Sequence, residues 1–196
     1  MGLYRVCLRP SSRRETTTNR TRLAASFGML LHGAIIAPAA SAAAASVRPS
    51  PDGIEYPAGY ADWRVISISD RTDNKTMRVI LGNEIAIEAA RSGQTPPWPD
   101  GAILGKVVWK QASKDNWPAA LAPDSFVHAE FMFKDSAKWA GNATGWGWAR
   151  WKGVDQEPYG KDENIAQECI ACHTPVKGRD WVFTTPALFP TVISTH

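Results

Sequence analysis

Residues 125–135 read SFVHAEFMFKD. Val127, Ala129, Phe131 and Phe133 fall on one side of an extended chain, and Phe126, His128, Glu130 and Met132 on the other. A period of two is the mark of a strand. The segments on either side repeat it. In 102–110, AILGKVVWK, one face carries Leu104, Lys106 and Val108; in 145–153, GWGWARWKG, Trp146, Trp148 and Arg150 oppose Gly147, Ala149 and Trp151. Nearer the N-terminus 62–70, DWRVISISD, sets Trp63, Val65, Ser67 and Ser69 against Arg64, Ile66 and Ile68. The turn cluster RTDNKT then leads into MRVILGN, which closes a hairpin. Asn83 caps a short helix, EIAIEAARSG, that stops at Gly93. SAKWAGN, 136–142, is a helical turn, and KDENIAQECIACH, 161–173, is a helix of about three turns. Residues 111–124, QASKDNWPAALAPD, read as a loop. The expected fold is α+β: about five short antiparallel strands and a few helices, the last near the C-terminus.

The chain has 196 residues, 44% apolar and 21% charged, which is enough for one globular domain with a real core. Its net charge is only +3, and no basic run is interleaved with aromatics, so a nucleic-acid partner is not expected. Residues 1–45 differ in character. Arg20 and Arg22 precede the apolar run LAASFGMLLHGAIIAPAA and the small-residue tract SAAAAS, the order of a secretory signal peptide cleaved near 42–45. That implies a periplasmic location. As a membrane anchor the same run would be interrupted by His32, Gly33 and Pro38. Residues 46–59 form a Pro- and Gly-rich irregular leader, 60–190 the folded domain and 191–196 a tail.

The chemistry is concentrated in ECIACHT, 168–174. Cys169 and Cys172 are separated by two residues, and His173 follows directly, which is the attachment signature of a c-type haem. Each thiol forms a thioether with a haem vinyl group, and the histidine takes the iron. Signal cleavage removes Cys7 and leaves the mature chain these two cysteines alone. A disulfide between them would close a tiny loop and stabilise little. A thioredoxin-like pair would open a helix within a βαβ unit, and none surrounds it. A zinc site would need a further ligand, for which His128 is the nearest thing on offer. Position sorts the haem proteins further. Only 23 residues follow His173 and none is methionine, unlike the small all-helical electron carriers. Nor does the chain hold the four long amphipathic helices of a bundle cytochrome.

The stretches PWPDGAILGKVVWK, FVHAEFMFKD, GWGWARW, PYGKDENIAQECIACHTPVKGRDWVF and TTPALFP are similar to the cytochrome P-460 family, over roughly 56–190. The resemblance implies a mixed α/β domain with an antiparallel sheet over one covalent haem c, commonly a homodimer. Members like the founding type oxidise hydroxylamine to nitric oxide or nitrous oxide and pass electrons to a soluble cytochrome. Related β-sheet cytochromes c′ bind nitric oxide and other gases without oxidising anything. In oxidising members a lysine is joined to the haem; Lys106 matches it, with Lys110 on the same strand face as its competitor. Glu130 matches the distal carboxylate, a proton acceptor whose pKa a largely apolar cavity would raise; the plainer reading is a salt bridge, for instance to Arg78. Arg78 itself matches an arginine near the haem, suited to a propionate. His128 and Met132 share a face with Glu130, and either one on the iron would make an electron-transfer cytochrome instead. The tryptophans are expected in the core and at a dimer interface.

Overall fold

Large apolar residues on both sides of three successive strands require that both faces of the sheet be covered, and the chain covers each with a different segment. The computed structural model describes residues 46–190. The expected signal segment, its cleavage site, Cys7 and the tail 191–196 lie outside the described residues. The six strands form one antiparallel sheet in chain order: β1 (Arg64–Arg71), β2 (Thr76–Gly82), β3 (Ile103–Lys114), β4 (Trp117–Lys134), β5 (Trp146–Lys152) and β6 (Glu157–Pro158). Helix α1 (Glu84–Ser92) joins β2 to β3, and α2 (Ile165–His173) follows β6. The class is α+β.

Asn83 starts α1, and its Oδ1 accepts from both Ala86 N and Ile103 N at 3.0 Å. One side chain therefore caps the helix and ties it to the start of β3. Gly93 ends the helix at φ 69°, a left-handed value that costs glycine little. Ala86, Ile87 and Ala89 are buried against Ile66, Ile80, Trp98, Leu104, Trp146 and Trp148, with Cys169 and Ile170 of α2 packed on this first core. The second core lies across the sheet: Ala129, Phe131, Ala149 and Trp151 meet Ile54 from the segment before β1, with Tyr56, Tyr60 and Trp63 around them. The alternation expected for β5 is the one observed, with Trp146 and Trp148 in the first core and Trp151 in the second.

Four local expectations are corrected. The expected loop 111–124 is instead the end of β3 and the start of β4, a long hairpin turning at Asp115-Asn116. Its residues are mostly exposed on both faces, so no apolar alternation marks them, and Pro123 opposite Gln111 sits where the register shifts. In β1 the register jumps between Val65 and Ser67. This bulge turns Ile66 into the first core and leaves Ile68 67% exposed, so the two do not share a face. A similar shift lets Trp109 pair with Phe126, which packs towards the second core rather than standing beside His128. Helix α2 begins only at Ile165, because Asp162 Oδ1 accepts from Asn164 N at 2.9 Å and holds the preceding residues in a turn. The short β6 had no pattern to betray it.

Phe131 is 1% exposed and meets Tyr60, Trp151 and Tyr56 edge-on, so Phe131→Ala is expected to cost about 3–5 kcal/mol. Trp117→Ala, at a residue 64% exposed on the hairpin, should cost less than about 0.5 kcal/mol. Equilibrium urea denaturation of both variants measures the contrast.

Candidate functional site

Strand pairing places the polar residues of the first face in rows. Ile80 pairs with Lys106, Lys106 with Glu130 and Glu130 with Arg150. The next row contains Arg78, Val108, His128 and Lys152, and the row on the other side Gly82, Leu104, Met132 and Trp148. Paired residues on neighbouring strands point to the same face, so Lys106, Glu130 and Arg150 stand side by side.

Glu130 is the hub of this row. Its Oε2 forms an ion pair with Lys106 Nζ. Its Oε1 lies 2.6 Å from Arg150 Nε, in charge contact without hydrogen-bond alignment, and 3.1 Å from His128 Nε2. Burial alone would raise the carboxyl pKa, but the His128 hydrogen bond and the charges of Lys106 and Arg150 outweigh it and hold the group well below the usual carboxylate range. The raised pKa expected for Glu130 is therefore corrected: the cavity is not largely apolar, because three basic side chains converge in it. The arginine that pairs with Glu130 is Arg150, not Arg78.

Arg78 is half-buried and donates from Nη2 to Thr76 Oγ1 at 2.7 Å. Its Nε is buried without a partner among the described residues, and burial lowers its pKa. Lys110 pairs with Thr76 in mid-strand and is exposed. His128 Nε2 is engaged by Glu130, and Met132 packs on the first core.

Helix α2 covers this face. The sheet and the helix are linked by Tyr159, which lies under the Arg150 guanidinium at 4.6 Å and donates to Glu168 Oε2 at 3.0 Å. Cys169 and Cys172 are both free thiols. Burial pushes the Cys169 thiol up to about 11, and the charges of Arg150, Glu130 and Lys106 all reach it. His173 Nδ1 is 2.6 Å from the Trp181 carbonyl oxygen. A carbonyl can only accept, so Nδ1 carries the hydrogen and Nε2 keeps its lone pair. Burial lowers the His173 pKa, which favours this neutral form, and Trp148 and Phe183 hold the ring edge-on at 4.8 and 5.0 Å. The charges of Lys106 and Glu130 reach His173 as well.

These features fit a haem. Two free thiols and an imidazole with an open Nε2 stand on one helix, which packs on a sheet surface where Arg78 Nε and Trp148 Nε1 are buried without partners among the described residues. Among the described residues no group of three or more His, Cys, Asp or Glu is arranged to hold a bare metal ion, so the zinc alternative with His128 has no ligand set. A cavity of about 360 Å³ lined by Ile54, Ile103, Phe133 and Trp139 lies away from this site and holds none of its residues. Sequence reading missed Arg150 and Tyr159. The alternation of 145–153 put Arg150 on the right face, but only the β4–β5 register assigns it to Glu130.

The family model described as Cytochrome P460 matches residues 57–184. No curated protein matches the chain.

The low carboxyl pKa of Glu130 sets an acid dependence. Its ionisation stabilises the fold fully above its unfolded pKa of about 4.3, and the contribution is lost as the pH falls towards the lower folded value. Glu130→Gln is thus expected to lose about 3 kcal/mol at pH 7, where Lys106 and Arg150 are left uncompensated. The gap from the parent protein should narrow between about pH 5 and about pH 2. Urea titrations at fixed pH would read it, and a gap independent of pH would mean that the folded carboxyl is not ionised at neutrality.

Proposed function

This chain belongs to the cytochrome P460 family, and from that premise we propose that it is an exported, periplasmic enzyme that oxidises hydroxylamine to nitric oxide or nitrous oxide. One haem c is attached through Cys169 and Cys172, with His173 on the iron. The observation that carries this reading is the placement of Lys106 and Glu130 side by side on the sheet face that the CxxCH helix covers. Bound haem supplies the redox chemistry. The chain supplies the rest.

Oxidising hydroxylamine releases protons along with electrons, so the site needs a base. Glu130 as it stands is a poor one, because Lys106 and Arg150 hold it ionised. A Lys106 cross-link would change that balance. Its C–N bond would replace a macrocycle C–H and an amine N–H, a two-electron oxidation that needs an external oxidant such as a peroxide. An amine nitrogen bonded to a conjugated macrocycle delocalises its lone pair and no longer carries an ammonium charge. Glu130 then keeps Arg150 and His128 but loses one full positive charge, and burial weighs more heavily on its carboxylate. Its pKa rises towards the range in which it can take a proton from substrate. Arg78, half-buried with an Nε that has no partner among the described residues, is suited to a haem propionate. Electrons leave singly to a soluble cytochrome, and a homodimer completes the reading.

One observation favours a second reading. Lys106 paired with Glu130 is also what an unmodified lysine does, and without the cross-link the protein would be a gas-binding β-sheet cytochrome c′.

The optical spectrum of the dithionite-reduced holoprotein, with and without carbon monoxide, separates the two. A Soret band far to the red of ordinary ferrous haem c, lost in Lys106→Ala, is the expected result. An ordinary five-coordinate spectrum that binds carbon monoxide would favour the gas-binding protein, and a six-coordinate one unmoved by carbon monoxide would sink both. In the cross-linked enzyme Glu130→Gln should lower hydroxylamine turnover by about 10²–10⁴-fold, measured by reduction of a cytochrome acceptor.

A further inference from the structure

Asp180 and Trp181, in the segment GRDWVF after α2, are consecutive non-glycine residues with φ of 54° and 66°. Side chains disfavour this left-handed region, so two such residues in succession need outside support. Asp180 receives it from three separate parts of the fold. Its Oδ1 takes an ion pair from Lys134 Nζ at 2.7 Å, at the end of β4. Its Oδ2 accepts from Trp98 N at 2.8 Å, in the turn before β3. Trp146 Nε1, on β5, donates to the Asp180 carbonyl oxygen at 3.0 Å. The Lys134 and Asp180 side chains are only 8% and 12% exposed. Trp98 and Trp146, which surround them, are buried, and Lys134 Nζ also lies 5.0 Å from the Trp146 ring. The next carbonyl along, that of Trp181, is the one His173 Nδ1 bonds at 2.6 Å.

We propose that the buried Lys134–Asp180 pair is the positioning device for the proximal imidazole. It pins Asp180 to β4 and, together with the Trp146 and Trp98 contacts to β5 and the turn before β3, fixes where the Trp181 carbonyl meets His173. This rests on the reading of His173 as the iron ligand. The hydrogen bond from Nδ1 sets the tautomer, the ring angle and the basicity of the opposite nitrogen, which are the levers a protein holds over a ligated histidine. Lys134 and Asp180 touch neither substrate nor iron in this assignment; they act through Trp181.

The test uses the full holoprotein and two variants, Asp180→Asn and Lys134→Met. The latter leaves every other partner of Asp180 in place. The readouts are the iron–histidine stretching band of the ferrous five-coordinate form and the midpoint potential. A loosened Trp181 carbonyl makes the imidazole less basic, so both variants are expected to shift the band to lower frequency and raise the potential. Because the two residues act as a unit, the double variant should shift the band no further than the larger single variant. Phe131→Leu, in the core across the sheet, serves as the control that lowers the melting temperature without moving band or potential. The proposal is overturned if both variants lose thermal stability with band and potential unchanged, if the control moves them equally, or if neither variant yields folded holoprotein. A parent protein with no iron–histidine band would instead remove the assignment of His173 itself.

Discussion

The backbone ladder that holds β3, β4 and β5 in register is the constraint from which the site follows. It places Lys106 opposite Glu130 and Glu130 opposite Arg150, and a slip of one residue in β4 would send Glu130 into the second core and Phe131 towards α2. Two aromatic cores guard against that slip. Phe131 and Trp151 are seated among Tyr56, Tyr60 and Trp63 on one side, while Trp146 and Trp148 are seated under α1 and α2 on the other. Burial on both faces makes each strand intolerant of being turned over. The polar row is thus held in place by apolar packing it takes no part in.

Glu130 inside that row is a buried anion among three basic groups, stable because it is compensated. The same compensation makes it a weak base. A carboxylate that must accept protons and a carboxylate that must hold a sheet together have opposite requirements. The covalent modification proposed for Lys106 would reconcile them, since it would remove one of the compensating charges once the domain has folded. The geometry therefore couples the chemistry proposed for Lys106 to that proposed for Glu130 through a single ion pair.

The other half of the site is organised from behind. Helix α2 brings Cys169, Cys172 and His173, but the imidazole is oriented by Trp181, whose backbone is held through Asp180 by Lys134, Trp98 and Trp146. These partners lie far apart in the chain. A short helix with few buried residues of its own is fixed less by its packing than by the polar contacts at its end and by the Tyr159–Glu168 bond at its middle.

Much of this was written in local patterns. The period-two alternation of 125–135 and 145–153 assigned the central strands and their faces, because both are buried and each residue's side is dictated by what covers it. Asn83 and Gly93 bounded α1 by capping chemistry, and ECIACHT pointed to a haem because that spacing is the attachment signature of a c-type haem. Tertiary structure decided the rest. Solvated strands carry no apolar alternation, so the hairpin over 111–124 was invisible, and bulges cannot be read from composition, so the sides taken by Ile66 and Phe126 were misjudged. The ionisation of Glu130 depends on charges brought to it by neighbouring strands. Arg150 and Lys106 are 20 and 24 residues away from it in the chain but adjacent in space, and only strand register makes that so.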